Sequence, residues 1–195
     1  MALVTKMSDI EREAINKIGK QQINHFSHRH PLEAAEVHGD DDKLGACAGC
    51  EHDIVGPAYV CTKATCNFVL HDLCSDLPRR HRHRCHPGHP LALLPSPPYS
   101  DGEFTCDACG ESGHGFTYHC AACKFDLHVE CAALPEAVKR SDHQHDFVLT
   151  MCGENLDGGD LVCCGCDDDR VAKGGWMYCC LDCKLGLHLA CAETC

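Results

Sequence analysis

A nine-residue string of metal-binding residue types occurs three times in this chain and constrains its fold more than any other feature. Each copy reads Cys-x-Phe/Leu-x-Leu-His-x-x-Cys, and the copies begin at Cys66, Cys123 and Cys183. A Tyr-x-Cys precedes each copy, and a closely spaced cysteine pair lies further upstream. Such self-similarity predicts three structural units of roughly 50 residues each.

Units of this size need a cross-link. A unit of roughly 50 residues buries too little apolar surface to be comfortably stable alone, and only 6% of the residues are aromatic. The 20 Cys and 16 His offer two kinds of cross-link, disulfides and metal ions. The first nine residues, Met1–Asp9, contain no apolar run of the kind found in secretory signal peptides. We therefore expect an intracellular protein, cytoplasmic and/or nuclear, in which thiols stay reduced and zinc is favoured over a disulfide framework.

Each repeat offers eight candidate zinc ligands at matched positions, enough for two closed tetrahedral sites. The sequence therefore predicts about six Zn²⁺ ions per chain, two per repeat. In the first repeat, His25 could replace His28. The candidates are His28, His30, Cys47, Cys50, Cys61, Cys66, His71 and Cys74; then His86, His89, Cys106, Cys109, Cys120, Cys123, His128 and Cys131; then His143, His145, Cys163, Cys166, Cys180, Cys183, His188 and Cys191. The cysteines left without a role are Cys85, Cys152, Cys164, Cys179 and Cys195.

The repeats also define the domain organisation. We expect small zinc-stabilised α+β modules, with short β-hairpins and a helical turn that carries each His-x-x-Cys. Residues 1–22 form an N-terminal segment that is either helical or a flexible tail. The predicted zinc-finger repeats are residues 25–78, 86–135 and 143–195. The basic cluster Arg79–Arg84 falls between the first two repeats, where a solvated linker is favoured over a phosphate or partner contact.

Longer motifs in the repeats point to a known family. The first two repeats open with His28-Arg29-His30-Pro31-Leu32 and His86-Pro87-Gly88-His89-Pro90-Leu91, and Cys47-Ala48-Gly49-Cys50 typifies the upstream pair. Together with the thrice-repeated string, these residues resemble the plant divergent C-one domain family of cysteine/histidine-rich proteins. That family is distantly similar to the diacylglycerol- and phorbol-ester-binding domains of protein kinase C.

The resemblance implies a cross-braced arrangement of two zinc ions in each unit. The first cysteine pair would share one ion with the late His and Cys, and the opening histidines would share the other with the middle cysteine pair. In the first repeat the implied sets are Cys47, Cys50, His71 and Cys74, and His28, His30, Cys61 and Cys66.

The third repeat departs from the family pattern. His145 is followed by Asp146-Phe147 where the other repeats have Pro-Leu, and the repeat ends without the Leu-Pro that closes the first two. The sequence therefore leaves open whether the third repeat fills both of its sites.

Closed zinc sites argue against an enzyme. Four matched ligands leave no open coordination position for catalysis, and the chain contains no His-Glu-x-x-His. An alternative is a thiol–disulfide oxidoreductase-related protein that uses Cys-x-x-Cys, because the resemblance includes redox proteins that carry such a domain. Binding of a lipid second messenger is a further alternative. Diacylglycerol binding is disfavoured because the candidate loops, Glu51–Ala58 and Gly110–Thr117, are short and polar.

Net charge and hydropathy argue against two other classes of protein, general nucleic-acid binders and membrane-spanning proteins. A formal net charge of −12 disfavours general nucleic-acid binding, which needs Lys and Arg for phosphate contacts. No stretch approaches the ~20 apolar residues of a membrane span. The remaining interpretation is a zinc-binding protein-interaction module, and the resemblance implies a role in plant signalling or in stress and defence responses. The sequence does not identify the protein partner.

Overall fold

The computed structural model describes residues 22–38, 45–151, 162–166 and 175–192. Most of the predicted N-terminal segment, together with Cys152 and Cys195, lies outside these described residues. The chain divides into two compact units, with the boundary between Pro78 and Arg79. The first unit holds the first repeat, and the second unit holds the other two.

The described residues of the first unit form one four-stranded antiparallel sheet and one helical turn. Its strands lie in chain order, and the turn follows the last strand directly. Leu32, Val69 and Leu70 are fully buried in this unit. The elements are β1 (Gln22–Ile23), β2 (Leu32–Val37), β3 (Gly56–Cys61), β4 (Val69–His71) and α1 (Asp72–Ser75).

The second repeat has the same architecture with a longer first hairpin. Its elements are β5 (Arg80–His83), β6 (His86–Leu94), β7 (Phe104–Thr105), β8 (Ser112–Gly113), β9 (Thr117–Cys120), β10 (Phe125–His128) and α2 (Val129–Ala132). The order in the main sheet is β10-β9-β6-β5, and β7 and β8 form a separate two-stranded sheet.

The third repeat adds a five-stranded sheet to the second unit. Its elements are β11 (Ala137–Val138), β12 (Phe147–Met151), β13 (Val162–Cys163), β14 (Trp176–Cys180), β15 (Leu185–His188) and α3 (Leu189–Ala192). The strand order is β11-β12-β14-β15-β13, and β13 runs parallel to β15.

A pairing of Tyr with Leu that recurs in all three repeats explains why the repeated string has its spacing. In every repeat, the Tyr of Tyr-x-Cys lies directly across the hairpin from the Leu that precedes the late His, and this Leu is fully buried. The pairs are Tyr59 with Leu70, Tyr118 with Leu127 and Tyr178 with Leu187. Such cross-strand pairs fix the register of a sheet. The pairing therefore places the middle Cys near the turn of the hairpin and the late His at its open end.

Two expectations need adjustment. The basic cluster was expected to be a solvated linker, but Arg80–His83 form strand β5, which pairs with β6. Each His-x-x-Cys was expected to lie on a helical turn, but the turn begins at the residue after the His. The late His therefore ends a strand, and of the two ligands only the Cys lies in the helical turn. With helices of four residues each, the described parts of the chain form mostly small β-sheets. No helix among them is long and apolar enough to cross a membrane.

Within the second unit, the two repeats pack through Trp176. Its indole ring is stacked with His83, at a centroid distance of 4.6 Å, and with Phe125, at 6.4 Å. Its backbone N–H donates a 2.7 Å hydrogen bond to the carbonyl oxygen of Ala108. Trp176 is 4% exposed. The third repeat thereby contributes its indole to an aromatic cluster that the second repeat otherwise supplies.

Candidate metal centres

The eight candidate ligands of the first repeat lie in two groups of four. One group is His28, His30, Cys61 and Cys66, and the other is Cys47, Cys50, His71 and Cys74. Within each group the potential ligand atoms all lie within 4.8 Å of one another. These are the sets that the cross-braced arrangement groups together. His28 contributes to its group, whereas the Nδ1 atom of His25 lies 2.6 Å from the hydroxyl of Ser27.

The second and third repeats form equivalent groups. Three have ligand atoms within 4.8 Å of one another: His86, His89, Cys120 and Cys123; Cys106, Cys109, His128 and Cys131; and His143, His145, Cys180 and Cys183. The remaining four candidates also converge. The Nδ1 atom of His188 lies 3.4 Å from the sulfur of Cys166 and 3.9 Å from that of Cys191, and the His188 N–H donates to the sulfur of Cys163 at 3.5 Å.

The opening histidines approach their thiols through different ring nitrogens. The Nε2 atom of His28 lies 3.2 Å from the sulfur of Cys61 and 3.4 Å from that of Cys66. The Nδ1 atom of His30 lies 3.5 Å from the sulfur of Cys61. The second opening His of the later repeats uses the same atom, because Nδ1 of His89 lies 3.3 Å from the sulfur of Cys123.

Two buried imidazole nitrogens indicate that a metal ion fits these groups. The Nε2 atoms of His86 and His143 are buried without a hydrogen-bond partner, and they match the position of His28 Nε2. Leaving such an atom unsatisfied costs about 1–3 kcal/mol. A zinc ion would satisfy it, since neutral imidazole and thiolate are the ligands that structural zinc prefers. All the cysteines that the structure describes are free thiols and so can act as donors.

Backbone carbonyl groups orient the late histidines. The Nε2 atom of His71 lies 3.1 Å from the carbonyl oxygen of Asp53, and that of His128 lies 3.3 Å from the carbonyl oxygen of Ser112. Each ring therefore donates from Nε2 and presents the Nδ1 lone pair to its cysteines. This is the usual support for a metal-binding His. Sequence reasoning missed these groups because every residue has a carbonyl and no residue type marks the ones that are used.

Backbone N–H groups also point at the first cysteine of each upstream pair. The N–H groups of Gly49 and His71 each lie 3.4 Å from the sulfur of Cys47. The His128 N–H lies 3.5 Å from the sulfur of Cys106. Donors in this position favour a thiolate over a thiol, which is the form that binds metal.

Without a metal ion, the clustered thiols compete for protons. A hydrogen bond from the Cys74 thiol is the main cause that lowers the pKa of Cys47 to about 4. Burial is the main cause that raises the pKa of Cys50 to about 11. One thiol of the group thus ionises readily while its neighbours hold their protons. Binding of a metal ion to all the sulfurs has to displace those protons.

Aromatic rings cover the first opening His of the first two repeats. His28 is stacked with Phe68, at a centroid distance of 4.1 Å and an interplanar angle of 11°. His86 is stacked with Phe125 at 4.4 Å and the same angle. Both rings are the Phe of the Cys-x-Phe string, so this residue holds the imidazole in place for its cluster.

The third repeat achieves the same packing with a different residue. Its string has Leu185 where the others have Phe, and the ring that contacts His143 is Phe147, at 4.8 Å. Phe147 belongs to the Asp146-Phe147 pair that marks the departure from the family pattern. The structure therefore brings His143 and His145 to their cysteines despite that departure.

A buried carboxylate distinguishes the second repeat. Asp126 is 3% exposed. Its side chain accepts hydrogen bonds from the hydroxyl of Tyr99, from the hydroxyl of Thr117 at 3.3 Å, and from Nδ1 of His119 at 2.9 Å. The bond to Asp126 raises the pKa of Tyr99 to about 12. Tyr99 directly follows the proline segment at residues 95–98, so this network attaches that loop to the sheet.

One feature of the sequence marks this network. Asp126 occupies the position of Val69 in the first repeat and of Gly186 in the third. A charged residue at a position that is otherwise apolar or small is informative, because a buried carboxylate needs partners. The unassigned cysteines carry less information: Cys179 is buried in β14 and Cys164 is exposed.

Comparison with known proteins agrees with the repeats. The family model described as C1 domain matches residues 26–75 and 84–132, together about half of the chain. The third repeat lies outside the matched ranges. No solved structure matches the chain.

Curated relatives match a shorter stretch. Probable nucleoredoxin 1 of Arabidopsis thaliana is 35% identical over 71 residues, which is 36% of this chain and 11% of that protein. Probable nucleoredoxin 2 of Oryza sativa subsp. japonica is 32% identical over 59 residues, 30% of this chain and 14% of that protein. The chain therefore spans only a small part of the length of these relatives.

Proposed function

The chain belongs to the C1 domain family, and from this membership we propose that it is a protein-interaction module whose fold depends on about six Zn²⁺ ions. The observation that carries the proposal is the repeated convergence of four Cys and His donors at both ends of each hairpin. Residues from distant parts of a repeat meet in every group; Cys47 and Cys74, for instance, meet in one group of the first repeat. Zinc bound there would offset most of the thiolate charge and tie these segments together.

The same geometry favours a binding role over catalysis. A zinc ion held by four protein ligands has no position for water or substrate. Apparent binding free energies of about 10–16 kcal/mol per structural zinc would then contribute to folding. For the biological role, we propose plant signalling or stress and defence responses through protein contacts. The family resemblance and the plant origin of both relatives support this role.

Metal content tests the structural part of the proposal. We expect native mass spectrometry to find about six zinc ions on the folded chain and none after denaturation. Excess chelator should remove the ions and abolish the circular dichroism signal of the sheets. A fully reduced protein that keeps its sheets without metal, or a metal-free protein with several disulfides, would contradict the proposal.

Two cysteine variants sharpen this test. Cys106→Ser removes a buried donor from one group of the second repeat, so we expect one zinc ion fewer per chain. Cys164→Ser changes an exposed cysteine outside the proposed ligand sets and should leave the zinc content unchanged. Equal zinc content in the two variants would show that the ligand assignment is wrong.

Thiol–disulfide exchange is the second candidate function. The similarity to two proteins named as probable nucleoredoxins favours it, and Cys123 and Cys183 are exposed members of Cys-x-x-Cys pairs. Each pair also lies among two histidines that would hold a metal with it, and bound zinc would block the thiols. An insulin-reduction assay on the zinc-loaded chain distinguishes the two functions. Clear turnover would replace the interaction module with an oxidoreductase.

A further inference from the structure

Strand β5 carries a concentration of positive charge in an acidic chain. Four of the six residues Arg79–Arg84 are arginines, whereas the formal net charge of the whole chain is −12. Among the strands that the structure describes, β5 pairs only with β6 and so lies at the edge of its sheet. Arg80 and Arg82 are both exposed. These guanidinium groups are therefore accessible to a ligand from solvent.

The arginines of this strand differ in their ion pairing. Arg84 pairs with Glu136, at 3.8 Å between side-chain nitrogen and oxygen. Within the described parts of the chain, neither Arg80 nor Arg82 has a carboxylate partner. Acidic residues outnumber basic ones by 29 to 17 in this protein, so most exposed arginines could find a partner. Two adjacent arginines without one leave their positive charge available to an external anion.

The two arginines share a pocket. It has a volume of about 340 Å³ and is lined by Arg80, His81, Arg82 and Pro90. The pairing with β6 shifts register between His81 and His83, because β6 places residues 87–90 opposite the single residue Arg82; the bulge therefore lies on β6, directly across from Arg82. Bulges of this kind redirect a side chain relative to a regular strand. Pro90 contributes a wall that has no N–H group.

Neighbouring residues hold the pocket in shape. The ring of His81 packs against Tyr118 at a centroid distance of 5.4 Å, and Tyr118 is 2% exposed. The ring of His83, whose centroid lies 5.8 Å from that of His81, is buried against Trp176. The carbonyl oxygen of Arg79 accepts a 3.0 Å hydrogen bond from the N–H of Leu93. The backbone of β5 is thus fixed, and binding would mainly require ordering of the two guanidinium groups.

We propose that this pocket binds the phosphate group of a phosphorylated side chain on a partner protein. The proposal rests on the interaction function above and specifies the chemistry that the partner offers. A phosphoryl group carries a charge of about −1.5 to −2 at neutral pH and three acceptor oxygens. Guanidinium groups match such oxygens with paired N–H donors, and arginine clusters are the usual means of phosphopeptide recognition.

Other anionic partners fit this surface less well. A nucleic acid needs a row of cations along its backbone, and the net charge of −12 would repel a long polyanion. A membrane surface would need a larger polybasic segment or an apolar rim. Addition of a strand from a partner is disfavoured because charged arginines line β5 and its pairing with β6 is irregular. A single phosphate group on a protein is the ligand whose size and charge agree with the pocket.

An NMR titration of the zinc-loaded full chain tests the proposal. The probe is a short capped alanine peptide with one central phosphoserine, and its unphosphorylated twin is the reference. We expect the phosphopeptide to shift the amide signals of Arg80, His81 and Arg82 and the side-chain Nε–H signals of the two arginines. The unphosphorylated peptide should leave these signals in place. Equal shifts with both peptides, or no shift with either, would overturn the proposal.

Variants and competing anions complete the experiment. Arg80→Gln with Arg82→Gln should weaken phosphopeptide binding about tenfold or more. Lys63→Gln with Lys139→Gln removes the same charge from exposed positions outside the pocket and should change binding less than about twofold. Equal losses in both double variants would show a non-specific charge effect and would refute the site.

Two further arms separate this proposal from its alternatives. Tighter binding of a single-stranded oligonucleotide, or of vesicles that contain phosphatidylserine, than of the phosphopeptide would reject the assigned partner. Zinc content and circular dichroism are measured on the same samples. A folded, zinc-loaded chain without phosphopeptide binding overturns the pocket alone, whereas a folded chain without zinc overturns the proposed function.

Discussion

At the scale of single residues, Gly165 limits what the third repeat can tolerate. A Cβ atom there would lie 2.8 Å from Cδ1 of Leu187 and 2.9 Å from Cβ of Cys191. The matched position in the second repeat holds Ala108, which is 1% exposed. The first repeat has Gly49 at this position. The second repeat thus accommodates a Cβ atom there, whereas in the third repeat the glycine lets the upstream cysteine pair approach the helical turn that carries Cys191.

We predict that Gly165→Ala loosens this metal group. The added methyl must displace Leu187 or Cys191, which costs about 1–3 kcal/mol as an overpacked core does. Zinc should leave one site at a lower concentration of competing chelator than in the unsubstituted chain. Gly45→Ala is the matched control, because no atom lies within 4 Å of a Cβ at that position. If the two variants release zinc alike, the steric argument fails.

At the scale of elements, the aromatic ring that contacts the opening His comes from a different strand in the second repeat than in the third. Phe125 of β10 covers His86 in the second repeat, whereas Phe147 of β12 contacts His143 in the third. Leu185 of β15 pairs with Cys180 in the same register in which Phe125 pairs with Cys120. The ring thus lies on the last strand of the hairpin in the second repeat and on β12 in the third. The opening His has an aromatic contact in both.

This difference in the position of the ring predicts that one substitution in the third repeat can compensate for another. Phe147→Leu should destabilise the third repeat by about 1–3 kcal/mol and weaken zinc retention, because it removes a fully buried ring from beside His143. Adding Leu185→Phe should restore part of that loss by rebuilding the arrangement of the second repeat. Chelator competition on the single and double variants measures the effect, with Leu185→Phe alone as the reference. A double variant that retains zinc less tightly than Phe147→Leu would contradict this prediction.

The elements also show which features a sequence can predict. The repeated string places Tyr, Leu, Cys and His with fixed spacing, so the hairpins and the ligand sets could be inferred from one chain together with a family resemblance. Strand β5 could not, because alternating Arg and His in Arg80–His83 resembles a solvated linker until a neighbouring strand is known to pair with it. The hydrogen bonds to the Asp53 and Ser112 carbonyl groups depend on chain geometry that residue types do not encode.

At the scale of the whole molecule, three repeats in the sequence become two compact units in the structure. The contacts that join the second and third repeats involve Phe125 of the repeated string and also residues outside the metal motifs. Trp176 and His83 are two such residues outside the motifs. The sequence alone agrees equally well with each of them lying in the core of its own repeat. Periodicity predicts what each repeat contains, but the packing of the third repeat on the second depends on side chains outside the periodic pattern.

The sole tryptophan of the chain lets this packing be measured. Because Trp176 is buried against His83 and Phe125 of the second repeat, its fluorescence should report metal loss from that repeat although it belongs to the third. We predict that Cys106→Ser with Cys109→Ser shifts the emission of Trp176 to longer wavelength as water reaches the indole. Cys47→Ser with Cys50→Ser disrupts the matched group of the first repeat and should leave the emission unchanged, since the partners of Trp176 named above belong to the second unit. An unchanged emission in the first variant, with confirmed loss of zinc, would show that the two repeats hold their shapes independently.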